Sequence, residues 1–432
     1  MDDGEVVTPA VLRRVLAVLC LTQLTGWGVL YYAFPVLAPA LARDTGWSIS
    51  SATAAFSAGL LVSAAVGVPV GRWLDRDGPR WVMSAGSVVG VAAVAGLAAA
   101  PSWGWFLAAW LVAGVAQAAV LYPPAFTALT RWWAADRVRA LTAVTVAGGL
   151  ASTVFAPLTA GLLGPLGWRG TYLALAAVLA VVTVPAHLFG LRAPWPAAPR
   201  PGEEPPAHGD GAGHPDHRDP ERVARSRPFV LLCATIFLGA FCSFAVIVNQ
   251  VPLLVERGFS TGFAAWALGL GGVGQVVGRL GWSWLARRLG VRGRAALVLG
   301  LLAVTSVVLA VLPGPAALLV VVAMVAGAAR GTFTLLQATA LSDRWPSRFY
   351  GRLAGLLSAP VMVAVALSPW LGSVLAGVVG YPPLFALLGV LGVVGAVLAI
   401  GTGVDHSGHD HSVQDHSGQD HSCSGRSGTD SP

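Results

Sequence analysis

Apolar residues fill the chain in long, nearly uninterrupted runs, and only short polar stretches separate them. Each run holds about twenty residues or more, which at roughly 1.5 Å per helical residue is enough to cross a hydrocarbon layer of about 30 Å. Breaks rich in Gly, Pro, Arg and Asp divide the chain into twelve such segments. The pattern therefore predicts an all-α membrane protein with twelve transmembrane helices, called spans one to twelve below.

The predicted spans group into two halves of six. They cover approximately residues 11–42, 47–72, 81–100, 103–132, 139–166 and 168–191 in the first half, and 229–255, 261–286, 295–312, 315–341, 353–379 and 381–400 in the second. We therefore predict an N-terminal six-helix bundle over residues 1–191 and a C-terminal one over 229–402.

The segments outside the two bundles have a different composition. Residues 192–228 contain nine prolines among Gly, Glu, Asp and His, and such a stretch cannot bury apolar surface. We predict that it is a flexible cytoplasmic linker. Residues 403–432 are predicted to be a disordered, His-rich cytoplasmic tail.

Composition excludes a soluble globular protein: of 432 residues, 55% are hydrophobic and only 11% are charged. The formal net charge of +7 comes from arginine, since the chain has no lysine. These arginines are spread among short connectors and form no single basic face, so nucleic-acid binding is not expected. The expected surroundings are a lipid bilayer.

Arginine placement predicts the orientation in the membrane. With the N-terminus inside, the cytoplasmic segments hold 22 arginines and the other side holds three. Short cytoplasmic loops carry such an excess of positive charge. We therefore predict a multi-pass protein of the cell membrane with both termini in the cytoplasm.

An internal repeat relates the two halves. Adding 212 to a residue number superimposes them without a gap over several stretches. The matching pairs include Gly46 and Gly258, Ser48 and Ser260, Arg80 and Arg292, Trp133 and Trp345, and Pro157 and Pro369. Two parallel six-span halves joined by a cytoplasmic linker are typical of an alternating-access carrier, whose substrate site lies near mid-membrane between the halves.

One charged residue falls close to the middle of a predicted span. Arg330 lies in span ten, and the corresponding position of the repeat, in span four, is Ala118. No Asp or Glu lies well inside any span to pair with Arg330. A charge at mid-bilayer costs about 2.5 to 3.5 kcal/mol. A guanidinium binds carboxylate or phosphate through paired hydrogen bonds, so the missing partner is either an anionic ligand or backbone carbonyls near Gly327 and Gly331.

Other side chains at similar depth complete a candidate pocket. Arg279 lies in the cytoplasmic third of span eight, where substrate binding competes with a role in gating or packing. We also include Tyr32 of span one, Tyr122 of span four and Asn249 of span seven. The alternative for each of these is an ordinary hydrogen bond between helices.

The connector between spans two and three carries a recognisable motif. It reads Gly71-Arg-Trp-Leu-Asp75-Arg76-Asp-Gly78-Pro-Arg80, and a degenerate copy around Arg288 follows span eight. It resembles the cytoplasmic loop motif of the major facilitator superfamily. The resemblance implies that Gly71, Asp75, Arg76, Gly78, Arg80 and Arg288 form a gate that latches the cytoplasmic side when the carrier faces outward. The alternative is a charged turn that only orients the protein.

A closer resemblance is to the monocarboxylate and oxalate/formate branch of that superfamily. It rests on Tyr31-Tyr32-Ala-Phe34-Pro35 in span one, Gly46-Trp47-Ser48 after it, and Gly278-Arg279-Leu280 in span eight. In that branch an arginine of the eighth span binds the substrate carboxylate. The resemblance implies this role for Arg279.

The tail repeats Asp-His-Ser every five residues. Its histidines could bind zinc, nickel or copper weakly. They are His406, His409, His411, His416 and His421. We favour low-complexity sequence without a ligand, because a fixed metal site needs three or four ligands held together. No cofactor is expected.

The sequence thus predicts a secondary active transporter of a small organic anion, a mono- or dicarboxylate, that acts as a monomer. Multidrug or metabolite efflux by the same kind of carrier is the first alternative, and a membrane sensor without flux is the second. An enzyme is not expected, since no Ser/His/Asp set, HExxH or CxxC is placed to act in the membrane.

Overall fold

The computed structural model describes residues 8–133, 137–195, 223–345 and 350–402. Every regular element in these ranges is a helix. Most of the predicted linker and the whole predicted His-rich tail, with its five candidate metal ligands, lie outside the described residues.

The spans follow the predicted order. The N-terminal half contains span one (Pro9–Trp27, Gly28–Tyr32 and Ala33–Thr45), span two (Ile49–Asp77), span three (Pro79–Ala98), span four (Trp103–Val120 and Tyr122–Trp133), and spans five and six (Arg137–Gly149 and Ala151–Gly190). The C-terminal half contains spans seven (Arg227–Glu256), eight (Thr261–Arg288), nine (Val291–Val311), ten (Ala316–Thr339), eleven (Tyr350–Val379) and twelve (Tyr381–Ile400).

Two details bring the count of spans to twelve. Among the described residues, ten continuous helical stretches are long and apolar enough to cross a membrane. One of them, Arg139–Gly190, holds two spans, because Gly167 adopts a left-handed conformation (φ 63°) and turns the chain between them. Thr261–Arg288 is a further long helix that packs against span ten in the C-terminal half. The all-α membrane fold with two six-helix bundles is confirmed.

Helix ends alternate between two sides of the molecule. We call the side that carries residues 191–195 and 223–226 the linker side, and the other the opposite side. On the linker side, the Trp195 indole donates to the Asp75 carbonyl oxygen (3.2 Å), and the Arg344 guanidinium donates to Thr402. Both described ends of the chain therefore lie on the linker side.

The turns that follow spans one and seven show the internal repeat in three dimensions. Gly46 and Gly258 both have positive φ (74° and 85°), a conformation that glycine adopts without steric cost. Ser48 and Ser260 then accept hydrogen bonds from the backbone N–H groups of Ser51 and Phe263 and so begin spans two and eight. The same pair of residues thus ends one helix and starts the next in each half.

Close backbone contacts hold the inner helices together. A Cβ atom on Gly114 of span four would overlap the Gly59 carbonyl of span two, and one on Gly327 of span ten would overlap the Gly271 carbonyl of span eight. Glycines at helix interfaces allow this approach in membranes. The two contacts occupy related places in the two halves and fix spans eight and ten against each other.

The outer faces of the bundles are apolar. Val181 and Val378, for example, are 73% and 79% exposed. Such residues contact lipid in a membrane, where no water competes for the surface. Several polar side chains of the spans, such as Gln23, Asn249 and Arg330, are buried inside the molecule instead.

Span one departs from a regular α-helix. Residues Gly28–Tyr32 form a π-helical turn, and Gly28 allows the ring of Phe155 to pack against the backbone. A π turn inserts one extra residue and changes which face the following side chains occupy, and such turns are frequent at functional sites. Here it lies at Tyr31 and Tyr32, beside the interface between the halves.

Candidate functional site

A cavity of ≈ 400 Å³ lies between the two halves. Its wall includes Phe126 of span four and Leu341 and Ala354, which flank the connection between spans ten and eleven, so it extends toward the linker side. Spans one, four, five, seven, eight, ten and eleven all contribute to the wall.

Contacts between the halves close the opposite side. The Ser373 hydroxyl of span eleven donates to the Thr53 hydroxyl of span two (3.2 Å) and lies 3.0 Å from the Asn249 side-chain oxygen of span seven. All three residues are buried. The molecule is therefore open toward the linker side and closed at the opposite side.

Arg330 is part of the cavity wall and is only 4% exposed. None of its three side-chain nitrogens has a hydrogen-bond partner among the described residues. Its electrostatic neighbours are Tyr31 and Tyr32, and one of its terminal nitrogens lies beside Gly271 of span eight. The alternative of a structural arginine bonded to nearby backbone carbonyls is wrong for this conformation.

Arg279 also lines the cavity, but its guanidinium is bound. It donates to the Thr145 carbonyl oxygen of span five, in the other half, and contacts the Tyr122 hydroxyl. Gly149 leaves room for this guanidinium at the surface of span five. Arg279 thus connects the two halves at the cavity wall.

The structure brings four of the five predicted substrate-binding residues to one cavity. Tyr32 and Tyr122 line it together with Arg279 and Arg330. Asn249 is not among the wall residues: its amide donates to the Ala245 carbonyl (2.9 Å), and its side-chain oxygen lies 3.0 Å from the Ser373 hydroxyl. The alternative of a hydrogen bond between helices describes Asn249 better.

Sequence reasoning missed the Trp27 indole nitrogen and the Ser243 hydroxyl, which are buried in the cavity wall without a partner among the described residues. Gln275, which the sequence places at similar depth in span eight, also lines the cavity, and its amide nitrogen has no partner there. Serine gives no sequence signal in an apolar helix, because its hydroxyl normally bonds to its own backbone. Trp27 precedes the π turn, which the pattern of apolar residues does not reveal.

The predicted gate motif is built around Asp75. The carboxylate binds the Arg131 guanidinium of span four (2.5 Å), and Trp195 covers this guanidinium at 4.7 Å from the ring centroid. A planar guanidinium suits both contacts at once. Both charged partners belong to the N-terminal half, so in this conformation the pair does not join the halves.

The other motif residues occupy the same surface. Arg76 pairs with Asp77 (3.0 Å) in an exposed position, and Arg80 donates to the Leu188 carbonyl (2.9 Å) at the end of span six. Gly78 has positive φ (77°) and lies against the Trp195 ring. Gly71 faces open space, and Arg288 is exposed beside Trp284.

The C-terminal half carries a related ion pair with its charges exchanged. Asp343 stands 212 residues after Arg131 and binds the Arg294 guanidinium of span nine. The neighbouring Arg344 is buried beneath Thr402, and this burial lowers its pKa to about 10, so it stays charged at neutral pH. Each half therefore has an arginine–aspartate pair on the linker side.

No metal centre is formed by the described residues: they contain no group of three or more His, Cys, Asp or Glu side chains arranged to hold an ion. The buried His187 lies in span six and shares a hydrogen bond (2.8 Å) with Ser87 of span three. It is a contact between two helices of one half.

Comparison with known proteins agrees with this architecture. A family model described as Major Facilitator Superfamily matches residues 19–320. A curated relative from Thermoproteus tenax, described as an uncharacterized 38 kDa protein in a 23S RNA operon, is 30% identical over 158 residues, 37% of this chain. The match spans 41% of that relative's length.

Solved structures share the fold at low identity. A bacterial homolog of the human lysosomal transporter Spinster, in an inward-facing and occupied conformation, has a TM-score of 0.73 at 15% identity, over 91% of this chain and 97% of that one. The nucleoside transporter NupG gives 0.70 at 15% identity, over 90% and 99%. The family match covers more than half of the residues and the fold agrees with it, so the chain belongs to the major facilitator superfamily of transporters.

Proposed function

We propose that this protein is a secondary active transporter that moves a small organic anion, a mono- or dicarboxylate, across the cell membrane by alternating access. The observation that carries the proposal is the unpartnered guanidinium of Arg330 in the wall of the cavity between the halves. An unpaired buried charge costs free energy that a bound anion would recover. No Asp or Glu is among the described residues of the wall.

Arg279 has a second role in this proposal. Its bond to the Thr145 carbonyl connects span eight to span five across the interface. An arriving carboxylate is a stronger acceptor than a backbone carbonyl, because charge-assisted hydrogen bonds are roughly twice as strong as neutral ones. Substrate therefore competes for Arg279 and loosens one contact that holds the halves in place.

We also propose the sidedness and the gate. Arginine-rich connectors favour a cytoplasmic linker side, which makes this conformation open to the cytoplasm. The motif residues Gly71, Asp75, Arg76, Gly78, Arg80 and Arg288 would then latch the cytoplasmic side in the outward-open state. The protein would act as a monomer and without enzymatic activity.

The test is uptake into proteoliposomes that contain the purified protein. Labelled lactate and oxalate report on anion transport, and labelled uridine serves as a neutral solute. We expect saturable anion uptake that Arg330→Ala abolishes and Arg330→Lys restores in part. The exposed Arg13→Ala variant is the matched control, since it removes an arginine far from the cavity.

Three results would contradict the proposal. Anion uptake that survives Arg330→Ala unchanged would remove the site. Uptake of neutral apolar solutes with no dependence on Arg330 would favour multidrug efflux. A folded protein that moves no solute would favour a sensor.

A further inference from the structure

The two halves contribute different chemistry to the cavity wall. On the N-terminal side, aromatic rings dominate. We call these residues the aromatic wall: Trp27, Tyr32, Tyr122 and Phe126. Both charged residues among those described in the wall, Arg279 and Arg330, come from the C-terminal half. A molecule in the cavity therefore meets four aromatic rings from the N-terminal half, whereas the C-terminal half presents both cations together with the rings of Phe244 and Phe333.

Three rings of the aromatic wall, those of Trp27, Tyr122 and Phe126, lie in contact. The centroids of Trp27 and Tyr122 are 4.9 Å apart, and those of Tyr122 and Phe126 are 5.0 Å apart with nearly parallel planes (19°). These separations are in the range of favourable aromatic pairs. Together they present aromatic surface against which a ligand ring can pack.

Two further polar groups that the C-terminal half contributes to the wall are hydrogen-bond donors without acceptors. Besides the Arg330 guanidinium, the Ser243 hydroxyl and the Gln275 amide nitrogen are buried and unpartnered among the described residues. Leaving a donor buried without an acceptor is unfavourable. A ligand that supplies several acceptor oxygens on one group matches these donors.

Resting on the transport function proposed above, we propose that the preferred substrate is an aromatic monocarboxylate. Its carboxylate binds Arg330 and the neighbouring donors of the C-terminal half, and its ring packs on the aromatic wall of the N-terminal half. Such a ligand touches both halves through different parts of the molecule. It therefore stabilises the conformation in which the aromatic wall faces Arg330. A small acid without a ring contacts only the arginine side and stabilises this conformation less.

Cavity size supports this choice over the smallest acids. The volume of ≈ 400 Å³ falls within the range of about 300 to 1,000 Å³ that is typical of small-molecule sites. Lactate or oxalate would fill a small part of it and leave the aromatic wall uncovered.

The experiment measures equilibrium binding to the purified protein by calorimetry. The ligands are benzoate, phenylacetate, lactate and oxalate, with benzamide as a neutral molecule of nearly the same shape as benzoate. We expect the aromatic acids to bind about tenfold more tightly than lactate or oxalate, since ring packing adds to the shared carboxylate contact. Benzamide should not bind measurably.

Variants assign the preference to the aromatic wall. We expect Trp27→Leu and Tyr122→Leu to weaken benzoate binding about tenfold and to change lactate binding less than about twofold. Trp266→Leu is the matched control, because Trp266 is exposed on the outside of span eight. It should leave all the affinities unchanged.

The outcomes separate this inference from the transport function on which it rests. Equal affinities for benzoate and lactate, or equal losses of both in the two leucine variants, would overturn the aromatic preference alone. Absence of binding by every acid, or binding of benzamide as tight as that of benzoate, would overturn the anion site itself. If a leucine variant does not fold, the comparison of the aromatic acids with lactate and oxalate on the unsubstituted protein still tests the aromatic preference.

Discussion

Arg330 and Arg279 show how differently two buried arginines of one cavity can be placed. The Arg330 guanidinium has no acceptor among the described residues, whereas that of Arg279 donates to a backbone carbonyl of the other half. Replacing an unpaired buried charge by an apolar side chain removes the unfavourable free energy of burying that charge. Replacing a hydrogen-bonded charge instead loses a favourable contact. The two residues should therefore respond oppositely to the same substitution.

We predict that Arg330→Met raises the stability of the protein and abolishes anion binding. The free energy of unfolding should rise by about 1 to 3 kcal/mol, because an apolar side chain replaces an unpartnered charge in an oily interior. Thermal unfolding in detergent and calorimetric binding measure the two effects. Arg279→Met is the comparison and should lower stability. A similar loss of stability in both variants would mean that Arg330 has a structural partner.

A second prediction concerns the ion pair at the linker-side surface. Asp75 is 55% exposed and Arg131 19%, so water screens part of their attraction. A double-mutant cycle with Asp75→Asn and Arg131→Gln should give a coupling of about 0.5 to 1 kcal/mol in thermal stability. The same cycle with Arg76→Gln is the control, since Arg76 pairs with Asp77. Equal coupling in both cycles would show that the specific contact has no effect.

At the scale of elements, glycine contacts decide where the site residues lie. Spans eight and ten approach so closely that the Gly271 carbonyl occupies the space of a Cβ on Gly327. Arg330 follows Gly327 by three residues and so lies on nearly the same face of span ten. Gln275 and Arg279 reach the cavity from the partner helix. Spans eight and ten therefore act as one unit that carries both cations of the cavity, Arg279 and Arg330.

We predict that Gly327→Ala destabilises the protein by about 1 to 3 kcal/mol and weakens anion binding, because the added methyl group pushes spans eight and ten apart. Thermal unfolding and binding calorimetry measure these effects. Gly281→Ala in span eight is the matched control: its Cβ would have open space, and alanine favours helix by about 1 kcal/mol over glycine. Equal effects of the two substitutions would contradict the packing argument.

For the whole molecule, the balance between conformations depends on contacts at the closed side. The bond between Ser373 and Thr53 joins span eleven to span two across the interface. Hydrogen bonds between membrane helices contribute about 0.6 kcal/mol on average. A single such bond shifts a two-state equilibrium without fixing it, as a carrier that alternates between states requires.

We predict that Ser373→Ala shifts the population toward the state open at the opposite side by about 0.6 kcal/mol, roughly threefold. Spin labels on cysteines that replace the exposed Pro101 and Pro313, on that side of the two halves, would report the change as a longer distance. Ser306→Ala is the control, because the Ser306 hydroxyl bonds only within span nine. An unchanged distance distribution in Ser373→Ala would show that this contact does not hold the side closed.

Much of the fold was predictable because it depends on local pattern. The apolar runs predicted twelve spans, and Gly46, Ser48 and their repeat counterparts marked turns whose backbone conformation requires those residue types. The position of Arg330 in mid-span was predictable for the same reason: a charge in an apolar run stands out. Asn249 was harder, because an amide in a helix bonds equally well to a ligand or to a neighbouring helix.

The sequence by itself determined the number of spans, the duplication and the presence of an unpaired cation, since each follows from which residues are apolar or charged along a helix. Only the tertiary structure decided which acceptor each polar group finds. In that structure Arg279 donates to Thr145 and Asp75 pairs with Arg131, whereas the Arg330 guanidinium has no acceptor among the described residues. The reason is physical: partners more than fifty residues apart are chosen by how helices pack, and packing depends on the shapes of surfaces that no single segment encodes.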